Sequence, residues 1–79
     1  MGERFTRSAR KHRIGKASAR FVMATTRPIV APSPEGEDER RLWVGVDERG
    51  RELESVAIVL GDDVLVIHVM PTHYRGSQG

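Results

Sequence analysis

The chain has 79 residues, no cysteine, three histidines and a formal net charge of +2, which limits it to one domain with one modest core. Without thiols it forms neither a disulfide scaffold nor a thiolate metal site, and its histidines lack a paired-ligand spacing, so we expect no metal and no cofactor. Its apolar runs are much shorter than the roughly 20 residues of a membrane span, and the N-terminus has no apolar signal core. We therefore expect a cytoplasmic protein that does not enter a membrane.

Charge is distributed unevenly along the chain. Residues 1–27 carry eight Lys or Arg and one Glu, a net charge of +7, whereas residues 28–79 carry five basic and ten acidic residues, a net charge of −5. A dense basic segment attracts a polyanion, of which RNA and DNA are the commonest. The same charge also predicts binding to an acidic protein. The alternative is that these basic residues form a solvated helix face and bind no partner.

The N-terminal part is predicted to be helical over residues 5–24. Thr6 and Ser8 are candidate N-cap residues, and an apolar stripe at helical spacing follows them: Ile14, Ala17, Phe21 and Ala24. Pro28 ends any helix there. Gly15 favours two short helices hinged near residues 13–15, and one bent helix is the alternative.

The remaining elements predict an antiparallel meander over residues 41–70. An acidic, Pro-rich loop at 32–40 precedes it, and Ile29–Ala31 is a candidate edge strand. Apolar residues alternate along segments that are separated by turns at Gly50 and Gly61. Turns this short join antiparallel strands. Residues 56–60 are apolar on both faces, which is typical of a central strand, and residues 71–79 form a polar tail that we expect to be flexible.

Together these elements predict an α+β domain that spans residues 1–79. In it, the N-terminal helical segment packs on one face of a three- to four-stranded antiparallel meander. The other face of the sheet is then open for function.

Residues suited to cleavage of RNA without a metal gather near the end of the last strand. The reaction needs a base for the 2′ proton, an acid for the leaving 5′ oxygen and a cation for the phosphorane; histidine, tyrosine and arginine suit these roles. The catalytic candidates are His68, His73, Tyr74 and Arg75.

Strand alternation predicts that His68 lies on the open face with Val64, Val66 and Met70, opposite Leu65, Ile67 and Val69. The alternatives are a core histidine for His68 and a solvated tail for the other three candidates.

The candidate nucleic-acid-binding residues are Lys11, His12, Arg13, Lys16, Arg20 and Trp43. The basic residues would contact phosphates, and the indole would stack on a base. The alternatives are a histidine that complements a helix dipole and a tryptophan that fills the core.

Three segments resemble one family. Arg10-Lys11-His12-Arg13-Ile14, with Ala19 and Val22-Met23, is similar to the K-H-G-hydrophobic helix signature of BrnT-type toxins. The segment from Trp43-Val44-Gly45-Val46 to Gly50-Arg51-Glu52-Leu53-Glu54-Ser55-Val56 resembles their strand pair, and Val66-Ile67-His68-Val69-Met70 with Tyr74-Arg75 falls at their last strand and basic end. The resemblance covers residues 10–75.

The resemblance implies a RelE-like fold and a bacterial ribonuclease that inhibits translation. It also implies RNA, free or ribosome-associated, as the substrate, and a cognate antitoxin that neutralises the toxin. The sequence departs from the family pattern at His68 and Met70, where serine and arginine are usual, and at Arg13, where glycine is usual. The alternative is a non-catalytic nucleic-acid- or protein-binding module on the same fold. The sequence predicts no oligomeric state.

Overall fold

The computed structural model describes residues 2–31 and 38–73. Its elements in chain order are β1 (Glu3–Phe5), a 3-10 helix (Ser8–Arg10), α1 (Lys16–Thr25), β2 (Ile29–Ala31), β3 (Arg40–Val46), β4 (Glu52–Leu60) and β5 (Asp63–Pro71). The five strands form one sheet in the order β1-β5-β4-β3-β2. Because β1 runs parallel to β5 while the other neighbours are antiparallel, the sheet is mixed.

The predicted fold class, an N-terminal helical segment on a three- to four-stranded antiparallel meander, is wrong. The chain begins with a strand, the helix lies in the middle of the chain, and the sheet has five strands rather than three or four. The backbone amide of Val64 donates to the Gly2 carbonyl at 2.9 Å, and that of Thr6 to the Val66 carbonyl at 3.0 Å. These bonds join segments about 60 residues apart. Glu3–Phe5 has one apolar side chain and therefore no alternating pattern, so the sequence around it does not predict a strand.

The predicted break in the helical segment is present, although a different residue makes it. Arg13 has a left-handed backbone with φ of 59°, and Gly15, at φ of −65°, is the N-cap of α1. The 3-10 helix and α1 therefore replace the continuous helical stretch expected over residues 5–24. Among the described residues no helix is long and apolar enough to cross a membrane.

The prediction for the meander is confirmed. β3, β4 and β5 pair in succession, with turns at Gly50 and Gly61, whose φ angles of 79° and 62° suit glycine. β4 is the central strand of the five, and β2 adds an exposed edge strand. Turn chemistry and alternation are local properties, which explains why the sequence predicts this half of the fold.

One face of the sheet carries the core. α1 packs on β3 and β4, the 3-10 helix packs on β5, and Val22 of α1 is fully buried with Leu53 and Val66 of the sheet. Full burial of an aliphatic side chain contributes about 1.5–3 kcal/mol to folding. α1 does not lie on the opposite face, which we call the open face.

Candidate functional site

His68 lies on the open face of β5, beyond the part of this strand that pairs with β1. It pairs with Val56 on β4, which pairs in turn with Leu42 on β3. Residues opposite each other on antiparallel strands point to the same face. The face of this row follows from Gly45, because a Cβ there would meet the Thr26 and Val22 side chains of the helical layer. Leu42 lies three positions from Gly45 on the same strand, and an odd separation places two residues on opposite faces. Leu42 and the His68 in its row therefore point away from α1.

A β-bulge decides the orientation of His68. Val56 pairs with His68 and the next residue, Ala57, pairs with Val66, so Ile67 is an extra residue on β5. The extra residue reverses the alternation. Val64, Val66 and Val69 are therefore buried in the core. His68 is on the open face as predicted, but the predicted grouping with Val64 and Val66 is wrong.

Glu54 is the carboxylate partner of His68. Its Oε2 lies 3.3 Å from the His68 Nε2, and the exposed fractions of the two side chains are 10% for Glu54 and 34% for His68. Glu54 pairs with Met70, two residues beyond His68 on β5, so the register of the central strands brings the two side chains together. A buried carboxylate beside a half-buried imidazole can orient the ring through the nitrogen that faces it.

His12 completes the cluster. It follows the 3-10 helix that packs on β5, and its ring is edge-on to that of His68, with centroids 6.3 Å apart. The tertiary structure thus gathers a predicted catalytic residue, a predicted nucleic-acid-binding residue and a carboxylate. We call Glu54, His68 and His12 the histidine cluster.

The other predicted catalytic residues are not in the described part of this cluster. His73 is exposed just beyond β5 and lines a separate cavity of about 220 Å³ with Arg51, Glu52 and Thr72. Tyr74 and Arg75 lie outside the described residues.

The predicted RNA-binding residues divide into two groups. Lys11 and Arg13 are exposed and flank His12 in the chain. Lys16 and Arg20 lie over the Phe5 ring at 5.7 Å and 5.6 Å from its centre. The first pair is therefore adjacent to the histidine cluster, whereas the second pair belongs to the contact between α1 and β1.

Trp43 is in neither group. It points to the α1 side of the sheet and is only 6% exposed, so the structure does not place it beside His68.

Sequence reasoning missed two features of the site. In the sequence, Glu54 looks like any polar residue of a strand. Only the register of β4 with β5 shows that its partner is His68. Arg49 and Arg51 meet Arg13 around a cavity of about 540 Å³ at the start of α1, with Glu48 and Ser18 also in its wall. Arginine is well suited to phosphate, but these three residues come from two distant turns.

The arrangement offers two neighbouring imidazoles, one of them beside a carboxylate, and an imidazole can act as a general base or a general acid. Within residues 2–31 and 38–73, no group of three His, Cys, Asp or Glu side chains is placed to hold a metal ion.

Comparison of the chain with protein-family models, with curated proteins and with solved structures found no match. The BrnT-type resemblance of residues 10–75 therefore stays a prediction from the sequence.

Proposed function

We propose that the protein is a metal-independent ribonuclease that binds RNA across the open face of its sheet. The histidine cluster is the observation that carries the proposal, because it supplies a base and an acid on an accessible surface beside basic residues. From the resemblance of residues 10–75 we further propose the biological role. The enzyme would act as a toxin that inhibits translation in the bacterial cytoplasm, on RNA with or without the ribosome, and a cognate antitoxin would neutralise it.

Glu54 assigns the roles of the two histidines. The His68 Nε2 lies 3.3 Å from the Glu54 carboxylate, so in this mechanism Nε2 carries the N–H and Nδ1 is the nitrogen that takes the proton of the 2′-hydroxyl. The 2′ oxygen then attacks the adjacent phosphorus and the bond to the 5′ oxygen breaks. His12, as an imidazolium, gives its proton to that oxygen. The products are a 2′,3′-cyclic phosphate and a 5′-hydroxyl.

Charge around the cluster supports an RNA substrate. Lys11 and Arg13 flank His12 in the chain and are exposed, so in this proposal they supply positive charge to the RNA backbone near the histidine cluster. Positive charge that is in place before the reaction stabilises the developing phosphorane without reorganisation.

The first test is cleavage of single-stranded RNA by the full-length protein in the presence of EDTA. We expect fragments with 2′,3′-cyclic phosphate ends. His68→Gln and His12→Gln should each lower the rate by about 100-fold or more, since positioned general acids and bases contribute about 10²–10⁴-fold. Their melting temperatures should stay close to that of the wild type, because neither side chain is part of the buried core.

Glu54→Gln has a matched control. Glu52 lies two residues away on the same strand and on the same face, so Glu52→Gln makes the same chemical change outside the cluster. We expect Glu54→Gln to lose activity and Glu52→Gln to keep it. A folded His68→Gln variant that cleaves at the wild-type rate would overturn the assignment, as would cleavage that EDTA abolishes.

A non-catalytic RNA-binding module is the second candidate function. The cavity lined by the exposed residues Arg13 and Arg49 favours it, because guanidinium groups hold phosphate whether or not a base is nearby. Salt-sensitive RNA binding without any cleavage would select this function over the first.

A further inference from the structure

The open face of the three long strands is largely apolar. Eight apolar residues of β3, β4 and β5 point to it, in alternation with the residues of the core face: Leu42, Val44, Val46, Val56, Ile58, Leu60, Leu65 and Met70. Val46 and Leu60 are 52% and 43% exposed, and the other six are half-buried. A sheet that is apolar on both faces is usually covered on both, yet α1 lies on only one of them. An apolar surface of this kind indicates an interface.

One end of the open face, near the β4–β5 turn, is basic. Arg4 of β1 and Arg40 of β3 are exposed there and pair with members of the apolar set. Neither arginine forms an ion pair with another described residue. Asp63 lies at the same end, where its Oδ1 accepts from the backbone amide of Gly2 at 2.9 Å. Two guanidinium groups and one carboxylate leave this end with a net positive charge.

The other end of the open face is acidic. Glu52 is exposed at the start of β4, six residues along this strand from the partner of Arg40, which is a distance of about 20 Å. Its Oε1 accepts from the Thr72 hydroxyl, a bond that leaves the negative charge of the carboxylate in place. Glu54, on the same face, lies beside His68. Opposite charges therefore lie at the two ends of one apolar surface.

We propose that two copies of the chain pack open face to open face with their strands antiparallel. The two-fold axis lies between the faces and runs across the strands, so the rotation exchanges the two ends. Glu52 of each copy then lies toward Arg40 of the other, and the apolar surfaces meet between these pairs. An axis along the strands would bring like charges together. Burial of apolar side chains drives the association, and the charges set its orientation.

The size of the open face determines how strong this dimer is. Three strands of seven to nine residues, at about 3.3 Å per residue and about 4.8 Å between strands, cover about 400 Å² of flat area. Two copies bury about 800 Å² by this measure, and more with the relief of the side chains, whereas stable interfaces begin at about 1,200 Å². We therefore expect a reversible dimer that dissociates in the micromolar range.

The dimer covers the histidine cluster. His68 pairs with Val56 in the middle of β4, so the second copy lies over its side chain and excludes RNA. Cleavage per molecule should then fall as the protein concentration passes the dissociation constant of the dimer. Only this consequence rests on the proposed ribonuclease function. Dimerisation is measured without RNA, so failure of either proposal is visible without the other.

Sedimentation velocity of the full-length protein, from micromolar to millimolar concentration, tests the dimer. We expect a reversible monomer–dimer equilibrium. Leu42→Lys places a charge next to the two-fold axis and should weaken dimerisation at least tenfold. Val30→Lys is the control, because Val30 is 54% exposed and pairs with Arg41 on the α1 side of the sheet, and it should leave the dimer intact. The melting temperatures of both variants show whether they are folded.

Charge reversal tests the orientation and does not depend on whether Leu42→Lys folds. Arg40→Glu and Glu52→Arg should each weaken the dimer about fivefold, the size of effect that exposed ion pairs have. The double variant should restore the wild-type affinity, because opposite charges meet again.

The proposal is overturned if the protein stays monomeric at millimolar concentration, even if RNA or another protein binds the open face. It is also overturned if Val30→Lys weakens the dimer as much as a folded Leu42→Lys does. A double charge reversal that dimerises no better than either single variant would overturn it as well.

Discussion

Gly45 lies where the C-terminal end of α1 packs against β3. A Cβ at this position would collide with the Thr26 Cγ2 and would lie 3.4 Å from the Val22 Cγ1. Thr26 is held in place, because its hydroxyl donates to the Val22 carbonyl at 2.6 Å and its amide donates to the same oxygen at 3.1 Å. The glycine thus permits the contact that fixes the helix on the sheet.

We expect Gly45→Ala to destabilise the protein by about 1–3 kcal/mol, the usual cost of an overpacked core. Urea unfolding measures the difference. Gly15→Ala is the control, since no atom lies within 4 Å of a Cβ at Gly15, and it should change stability much less. An equal loss of stability in the two variants would show that the Thr26 side chain does not restrict the size of the residue at position 45.

At the scale of elements, the β3–β4 hairpin depends on one buried carboxylate. The Asp47 Oδ1 accepts from the backbone amides of Arg49 and Arg51 at 2.9 and 2.8 Å, and its Oδ2 accepts from the Arg51 guanidinium. Arg51 also donates to the Ser18 hydroxyl at 3.3 Å, which links the hairpin to the first turn of α1. Burial raises the pKa of Asp47. The hydrogen bonds from the Arg51 amide and guanidinium and from the Arg49 amide lower it by more, so the pKa is below its ordinary value.

This pKa predicts how stability depends on pH. Because the pKa is lower in the folded than in the unfolded protein, where it is about 3.9, the contribution of Asp47 is complete above about pH 4. It is lost as the pH falls through the folded value. Asp47→Asn should therefore be less stable than the wild type at pH 7, and the difference should narrow below pH 4.

Denaturant unfolding at pH 7, 5, 4 and 3 measures this difference. Asp62→Asn, at the exposed β4–β5 turn, is the control and should give a small difference that varies little with pH. A difference for Asp47→Asn that is constant from pH 7 to pH 3 would contradict the role of its ionised carboxylate.

At the scale of the whole molecule, folding divides the basic N-terminal segment. Arg20 is paired with Glu3, and Lys16 lies over Phe5, so part of the +7 charge serves the contact between α1 and β1. Lys11 and Arg13 are exposed next to His12, which contacts His68. The charge available for RNA at the histidine cluster is therefore less than the sequence total.

RNA affinity should fall steeply with salt, and the two basic pairs should contribute unequally. Each phosphate contact on a single strand contributes about 0.7 to the slope of log affinity against log salt. Replacing Lys11 and Arg13 together with glutamine should therefore flatten the slope by about 1.4. The same change at Lys16 and Arg20 is the matched control and should flatten it less. Affinity that does not respond to salt would indicate a protein partner instead of RNA.

The sequence by itself determined the meander, its glycine turns and the central position of β4. All of these depend on alternation and turn chemistry between residues close in the chain. Only the tertiary structure decided that Glu3–Phe5 is a strand, that Ile67 is a bulge residue, and that Glu54 and His12 meet His68. Each of these depends on hydrogen bonds or packing between segments that are distant in the chain. A local sequence pattern gives no information about the free energy of such contacts.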